Sequence, residues 1–196
     1  MTEPPTTTPS RAPIPERDAL LATKLHIPRP RPDFLARPRL LEQLAQGTAR
    51  ELTLICAPAG FGKTSLLGEW ARGSHRPVAW LSLDQGDSDP ARFWRYLAAA
   101  LDGLRAGIQQ KVAALLQGDQ QPPFEPVLTV MVNQLVALPD EVVLVLDDYH
   151  LVEAPAVHDS LAFLLERLPA QLRLVLARAR CNVTPATAAR SLRWSP

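Results

Sequence analysis

The chain has 196 residues, 46% of them hydrophobic, which is enough for one medium domain with a packed core. A net charge of +1 gives no bulk electrostatic case for nucleic-acid or membrane binding. Two cysteines, Cys56 and Cys181, make no disulfide framework, so a reducing, cytoplasmic location is expected. No apolar run reaches the roughly 18–20 residues that a bilayer span needs, and the first residues lack a charged-then-apolar signal pattern.

Residues 1–18 are polar and rich in Thr and Pro. They cannot bury enough surface to offset the entropy of ordering, so a disordered tail is expected. Proline stays dense through Pro38 and favours extended chain over helix. Residues 40–45 then read as a short helix and residues 52–56 as an apolar strand, with Cys56 a small buried thiol. A Gly-rich loop and a helix-compatible run over 66–72 follow. Residues 78–83 form a second strand. Asp89 and Pro90 open a helix as N-cap and first helical residue, with Phe93, Leu97, Ala100, Leu101 and Leu104 on one face. Further helices are expected over 126–138 and 155–168, and further strands over 142–146 and 172–177. Strands alternating with helices imply right-handed crossovers and a parallel sheet. The domain is expected over 19–177, with an atypical tail over 178–196.

The loop carries the chemistry. Ala57, Pro58, Ala59, Gly60, Phe61, Gly62, Lys63, Thr64 and Ser65 stand between a strand and a helix, which is the context of a phosphate-binding P-loop. Glycines let backbone N–H groups turn toward phosphate oxygens, and the following helix offers its positive end. Lys63 can reach the β- and γ-phosphates, and the Thr64 hydroxyl can ligate Mg²⁺. Ala57 stands where the full pattern has its first glycine, and ordinary strand geometry there tolerates it.

A second feature completes the first. The apolar run 142–146 ends in Asp147 and Asp148. A buried parallel strand with acids at its C-terminal edge places them where open α/β sheets bind ligands. Asp147 is expected to hold Mg²⁺ opposite Thr64, and Asp148 to orient or deprotonate the attacking water.

These residues bring a family resemblance. Thr23, Lys24, Leu25 and Pro28, then residues 35–41, the loop 57–64, Trp80 to Asp84 with Asp87, Asp89 and Pro90, then Arg92, Phe93, Trp94, Tyr96 and Leu97, and finally residues 145–150 match in order. Over about residues 20–177 the chain resembles the nucleotide-binding domain of the large ATP-binding LuxR-type bacterial regulators related to the maltose regulator MalT. These are signal-transduction ATPases with numerous domains (STAND, of the ASCE division). The resemblance implies a three-layer α/β P-loop NTPase with strand order 5-1-4-3-2. It implies a switch that binds ATP or ADP with Mg²⁺, hydrolyses ATP slowly and self-associates in the ATP state. DNA would be bound only through a C-terminal helix-turn-helix domain, which this sequence does not contain. Residues 34–39, Arg37 among them, would lie near the adenine, or act as a linker packed on the sheet. His150 is a family feature read as capping or structural.

The resemblance fades after about Ala177. Arg178 and Arg180 are close to a γ-phosphate-sensing position but offset, which makes them weak sensor candidates, and ordinary solvated arginines at a strand end are the favoured reading. The run 181–196 has no apolar periodicity, so the fifth strand is expected to be missing and the strand 52–56 to lie at an open edge. The tail reads like that of an interrupted gene product or an imposed boundary. Two other functions fit the motifs: a small P-loop kinase passing phosphate to a metabolite, and a nucleotide-binding interaction domain without turnover.

Overall fold

The computed structural model describes residues 20–29, 37–116 and 124–179, together with the backbone of residues 191–194. The expected disordered tail over 1–18 lies outside these residues. Five strands form one sheet: β1 (Leu52–Cys56), β2 (Val78–Ser82), β3 (Val142–Asp147), β4 (Leu172–Arg178) and β5 (Ser191–Trp194). Among the described residues six α-helices accompany them: α1 (Pro38–Gly47), α2 (Lys63–Gly73), α3 (Pro90–Asp102), α4 (Ile108–Leu115), α5 (Phe124–Val136) and α6 (Pro155–Glu166). The strand order is β2-β3-β4-β1-β5, and every pairing is parallel.

Strand alternation sorts the core into two layers. Leu52 and Leu54 of β1, Leu144 and Leu146 of β3, and Leu174 and Leu176 of β4 face one side, against Phe93, Leu97, Ile108, Leu128 and Leu161 of α3 to α6. Ile55, Trp80, Val143, Val145 and Val175 face the other, against Leu44 of α1 and Leu66, Leu67 and Trp70 of α2. The strands are apolar on both faces because both are covered, which is the sequence signature of a buried parallel sheet. Each fully buried leucine here, Leu67 or Leu144 for example, contributes about 1.5–3 kcal/mol of burial. Polar atoms between α3 and α6 pair with each other: Trp94 Nε1 donates to Ser160 Oγ at 3.1 Å, and Ser160 Oγ donates to the Val157 carbonyl at 2.9 Å.

The start of α3 is as expected. The Asp89 side chain accepts from the Arg92 N–H at 2.7 Å, and Pro90 opens the helix. The expectation of a missing fifth strand is corrected. The backbone of β5 pairs in parallel with β1, with Leu52 opposite Ser191 and Ile55 opposite Trp194. Thus β1 is an interior strand rather than an open edge. A four-residue strand is too short to show a period, and what stabilises it is the unpaired edge of β1, a tertiary partner that local pattern does not reveal. Cys56 is corrected too: it is disulfide-bonded rather than a thiol. Helix α4 was not expected. Its buried residues Ile108 and Val112 recur only once, among Gln109, Gln110 and Lys111.

The segment 20–29 is pinned by charge. Lys24 is buried, and its ammonium bonds to Asp84 Oδ2 at 3.1 Å and to Asp87 Oδ2. It also lies 4.3 Å from the centre of the Tyr96 ring. Asp87 is fully buried and takes a second cation, Arg92 Nε, at 3.1 Å. Two separate motif segments, around Lys24 and around Asp84, are therefore one ion cluster beside the end of β2. Among the described residues no helix is long and apolar enough to cross a membrane.

Candidate nucleotide site

The site lies at the C-terminal edge of the sheet, where β1 and β3 end beside each other's neighbour β4. The Ala57 N–H donates to the Arg178 carbonyl at 3.3 Å, so the chain leaves β1 still paired to β4. The loop then needs two left-handed residues, Gly60 with φ 85° and Gly62 with φ 79°. A Cβ at either would meet nothing within 4 Å. Backbone conformation rather than crowding therefore demands glycine. Gly62 is the N-cap of α2, and no side chain caps that end. The first-turn N–H groups are left for a ligand, and the helix dipole favours an anion there.

Ala59, Gly60, Gly62, Lys63, Thr64 and Ser65 line one side of a cleft of about 380 Å³, and Asp148, His150 and Leu151 line the other. Seven of the residues read from sequence as phosphate-binding, metal-binding or catalytic thus line one cleft, Asp148 included. Lys63 is buried, with Nζ donating to the Ala57 carbonyl at 2.7 Å and to the Pro58 carbonyl at 3.1 Å. The loop folds its own cation inward. Phe61 is exposed, and its carbonyl accepts from Arg37 Nη1 at 3.4 Å, which sets the residue before α1 against the loop. The rest of the segment expected near the adenine, residues 34–36, lies outside the described residues. A larger groove of about 620 Å³ sits at the far end of α2, around Leu41, Glu69 and Trp70. It carries none of the P-loop residues and neither Asp147 nor Asp148, so the smaller cleft is the candidate site.

Asp147 and Asp148 differ sharply. Asp147 is buried at the end of β3. Its Oδ2 accepts from the Thr64 hydroxyl at 2.7 Å, and its Oδ1 accepts from the Asp148 N–H at 3.0 Å. Burial pushes its carboxyl above the usual range, with the Asp148 charge adding to that; the Thr64 hydrogen bond and the Lys63 charge oppose the rise. A buried carboxylate paired only with neutral donors is a poor resting place for negative charge, and a cation would relieve it. Asp148 adopts φ 56° and ψ 33°, the one non-glycine left-handed residue among those described. Its side chain is 41% exposed, and Oδ1 lies 3.9 Å from His150 Nδ1. That Nδ1 is buried with no hydrogen-bond partner in the structure. His150, expected to be capping or structural, lies on the cleft wall with Leu151, which no sequence signal marked.

Arg178 ends β4 with its guanidinium 5.8 Å from the Tyr149 ring centre. It is not part of the cleft wall described above, and Arg180 lies outside the described residues. Among the described residues no three His, Cys, Asp or Glu side chains converge on a metal position.

No family profile matches the chain. Individual relatives do. The chain is 36% identical over 157 residues to the HTH-type transcriptional regulator MalT of Cronobacter sakazakii, a match covering 80% of this chain and 17% of that protein. The Serratia proteamaculans regulator of the same name gives the same figures, 36%, 80% and 17%. Among solved structures, the fold is similar to the Aeropyrum pernix ORC1 protein in complex with DNA, with a TM-score of 0.58 and 19% identity over 84% of this chain and 47% of that one. It is also similar to CDC6P from Pyrobaculum aerophilum, with a TM-score of 0.56 and 18% identity over 87% of this chain and 47% of that one. At such identities these structures speak for the fold alone. The chain spans about 17% of the length of the curated relatives it matches. Sequence similarity to MalT and a P-loop sheet with its motif residues gathered at one cleft identify the chain as a MalT-like nucleotide-binding regulatory domain.

Proposed function

We propose that this chain is the ATP-dependent switch of a MalT-like transcriptional regulator, binding Mg-ATP and Mg-ADP and hydrolysing ATP slowly. The observation that carries the reading is the 2.7 Å hydrogen bond from Thr64 to Asp147 beside a P-loop whose glycines are in the left-handed region. Two oxygen ligands of the type a Mg²⁺ site uses are already side by side, Thr64 on the cleft wall and Asp147 buried behind it.

The chain's own groups divide the work. The N–H groups of the loop and of the first turn of α2 would receive the phosphate oxygens. Lys63 would exchange the Ala57 and Pro58 carbonyls for the β- and γ-phosphates. Thr64 and Asp147 would hold Mg²⁺, which when bound neutralises charge developing on the phosphates. Asp148, exposed on the cleft wall, would orient the attacking water and take its proton. Arg37, tied to the Phe61 carbonyl, would border the nucleoside. Slow turnover with self-association in the ATP state, and DNA contact through a separate helix-turn-helix domain, belong to the same reading. So do a domain over 19–177 and a cytoplasmic location.

The test is direct. Titration of a fluorescent ADP analogue with Mg²⁺, alongside phosphate release from ATP, should give saturable binding and slow hydrolysis. Phosphate transferred to a metabolite would favour a kinase, and binding without any phosphate release an interaction domain. Absence of binding would remove the reading altogether.

A further inference from the structure

Tyr149 follows the two acids but points away from the cleft. It is buried, and its hydroxyl lies 2.7 Å from His158 Nδ1 on α6. The two rings meet edge to face at 5.4 Å, and the Arg178 guanidinium lies 5.8 Å from the centre of the Tyr149 ring. Burial and the Arg178 charge both lower the His158 basicity, with Asp159 opposing. A neutral imidazole accepting the phenol proton fits that environment. Neither side chain lines the cleft.

The placement has a consequence for Asp148. A left-handed aspartate persists only where its surroundings over-determine it. Two backbone bonds close the turn, Leu151 N–H to the Asp148 carbonyl at 2.9 Å and Val152 N–H to the Tyr149 carbonyl at 3.3 Å. These bonds are local, and they do not by themselves tie the turn to the rest of the domain. The Glu153 N–H holds the chain after the turn to Ser88 Oγ at 3.0 Å, while Tyr149 ties the turn to the rest of the domain on the α6 side, because its side chain reaches α6 and the end of β4. That strand end is bonded in turn to Ala57 at the start of the P-loop.

We propose that His158 is a positioning residue which, through the Tyr149 hydroxyl, holds the left-handed turn that presents Asp148 to the nucleotide cleft. The proposal rests on the reading of Asp148 as the group that handles the attacking water. It makes α6, which contributes nothing to the cleft wall, a lever on turnover: displacing α6 by one hydrogen bond re-aims Asp148 while the P-loop keeps its grip on the phosphates.

The experiment uses the 196-residue chain and three variants, Tyr149→Phe, His158→Ala and His158→Asn. Tyr149→Phe keeps the ring and removes only the hydroxyl, so packing survives. Tyr149→Phe and His158→Ala should lower turnover about ten- to a hundredfold, the scale of a small misplacement of a catalytic group, with affinity for the ADP analogue within about threefold of wild type. His158→Asn puts an amide near the Nδ1 position and should recover most of the loss. Hydrogen exchange at the Leu151 amide should quicken in the two damaging variants and not in His158→Asn. That readout needs no turnover, so it judges the pair even if the wild type neither binds nor hydrolyses nucleotide, an outcome that would sink the functional reading instead. Unchanged turnover and unchanged Leu151 exchange in Tyr149→Phe would overturn the proposal. So would a loss of affinity in step with turnover.

Discussion

The Thr64 hydroxyl donates to Asp147 Oδ2 at 2.7 Å, joining the first turn of α2 to the last residue of β3. The bond puts the two expected Mg²⁺ ligands in contact, and it does so at a cost. Asp147 is buried and its carboxyl is raised above 3.8, chiefly by that burial. A carboxyl raised on folding binds its proton more tightly in the native state. Its contribution to stability therefore falls as pH rises from the unfolded value through the folded one, and the deficit persists at neutral pH.

Asp147→Asn should accordingly raise the melting temperature of the ligand-free protein at pH 7 while abolishing the extra stabilisation given by Mg-ADP. The amide keeps one oxygen for the Asp148 N–H, and the Thr64 hydroxyl can turn round to accept from the new NH₂ group. Paired thermal melts with and without Mg-ADP check both halves. A lower ligand-free melting temperature, or an undiminished Mg-ADP shift, would show the buried charge to be something other than a metal ligand held in readiness.

Asp148→Asn is expected to leave nucleotide affinity nearly unchanged and to reduce hydrolysis about 10²–10⁴-fold, the usual worth of a positioned general base. Asparagine tolerates the left-handed region as well as aspartate does, so the turn at φ 56° is not disturbed. Single-turnover phosphate release at saturating ATP isolates the step. A wild-type rate would move the role to another residue of the cleft wall.

Much of this site is legible in the sequence because its parts are contiguous. Residues 57–65 carry the whole loop, and the run into Asp147 carries its own burial signal. What escapes the sequence is pairing across distance. Lys24 and Asp87 are 63 residues apart and read separately as motif letters, although they are one ion pair. Tyr149 reads only as a letter of the 145–150 motif and His158 only as part of the helix expected over 155–168, and their contact exists once α6 is packed. β5 has only four residues, too few for a period, and exists because β1 has an edge to offer. Local chemistry fixes the phosphate loop; tertiary contact decides what braces it.

Lys63→Ala should weaken Mg-ADP binding by about 1.5–3 kcal/mol, the worth of a charged hydrogen bond, or roughly ten- to a hundredfold. The effect on the ligand-free fold should be smaller. Nζ now serves only the Ala57 and Pro58 carbonyls, which the solvent can reach once the side chain is gone. Titration of the fluorescent ADP analogue against both proteins measures it. Equal affinities would show that the loop binds phosphate without its lysine.

The ion cluster at Lys24 should prove a stability device with no part in nucleotide binding. Asp87 is fully buried, and of its two cations only Lys24 is itself buried; the Arg92 side chain is 41% exposed. Lys24→Ala leaves a buried carboxylate half-compensated, which costs about 3–5 kcal/mol where a buried pair is broken. For a domain of this size that is a fall of roughly 6–20 °C in melting temperature. The segment 20–29 should come loose with it, becoming sensitive to protease near Pro28. Asp84 adds an acid arm. Burial raises its carboxyl, but the hydrogen bond and charge of Lys24, with Arg92, outweigh this and bring it below 3.8. A lowered carboxyl contributes stability that is present above its unfolded value and is lost as pH falls through the folded one. Melting temperature should therefore decline below about pH 4 less steeply in Lys24→Ala than in wild type. ADP affinity, measured below the melting range, should be the same in both. An unchanged melting temperature in the variant would mean that Arg92 alone satisfies Asp87; a large loss of affinity would mean that the cluster braces the nucleotide cleft as well as the fold.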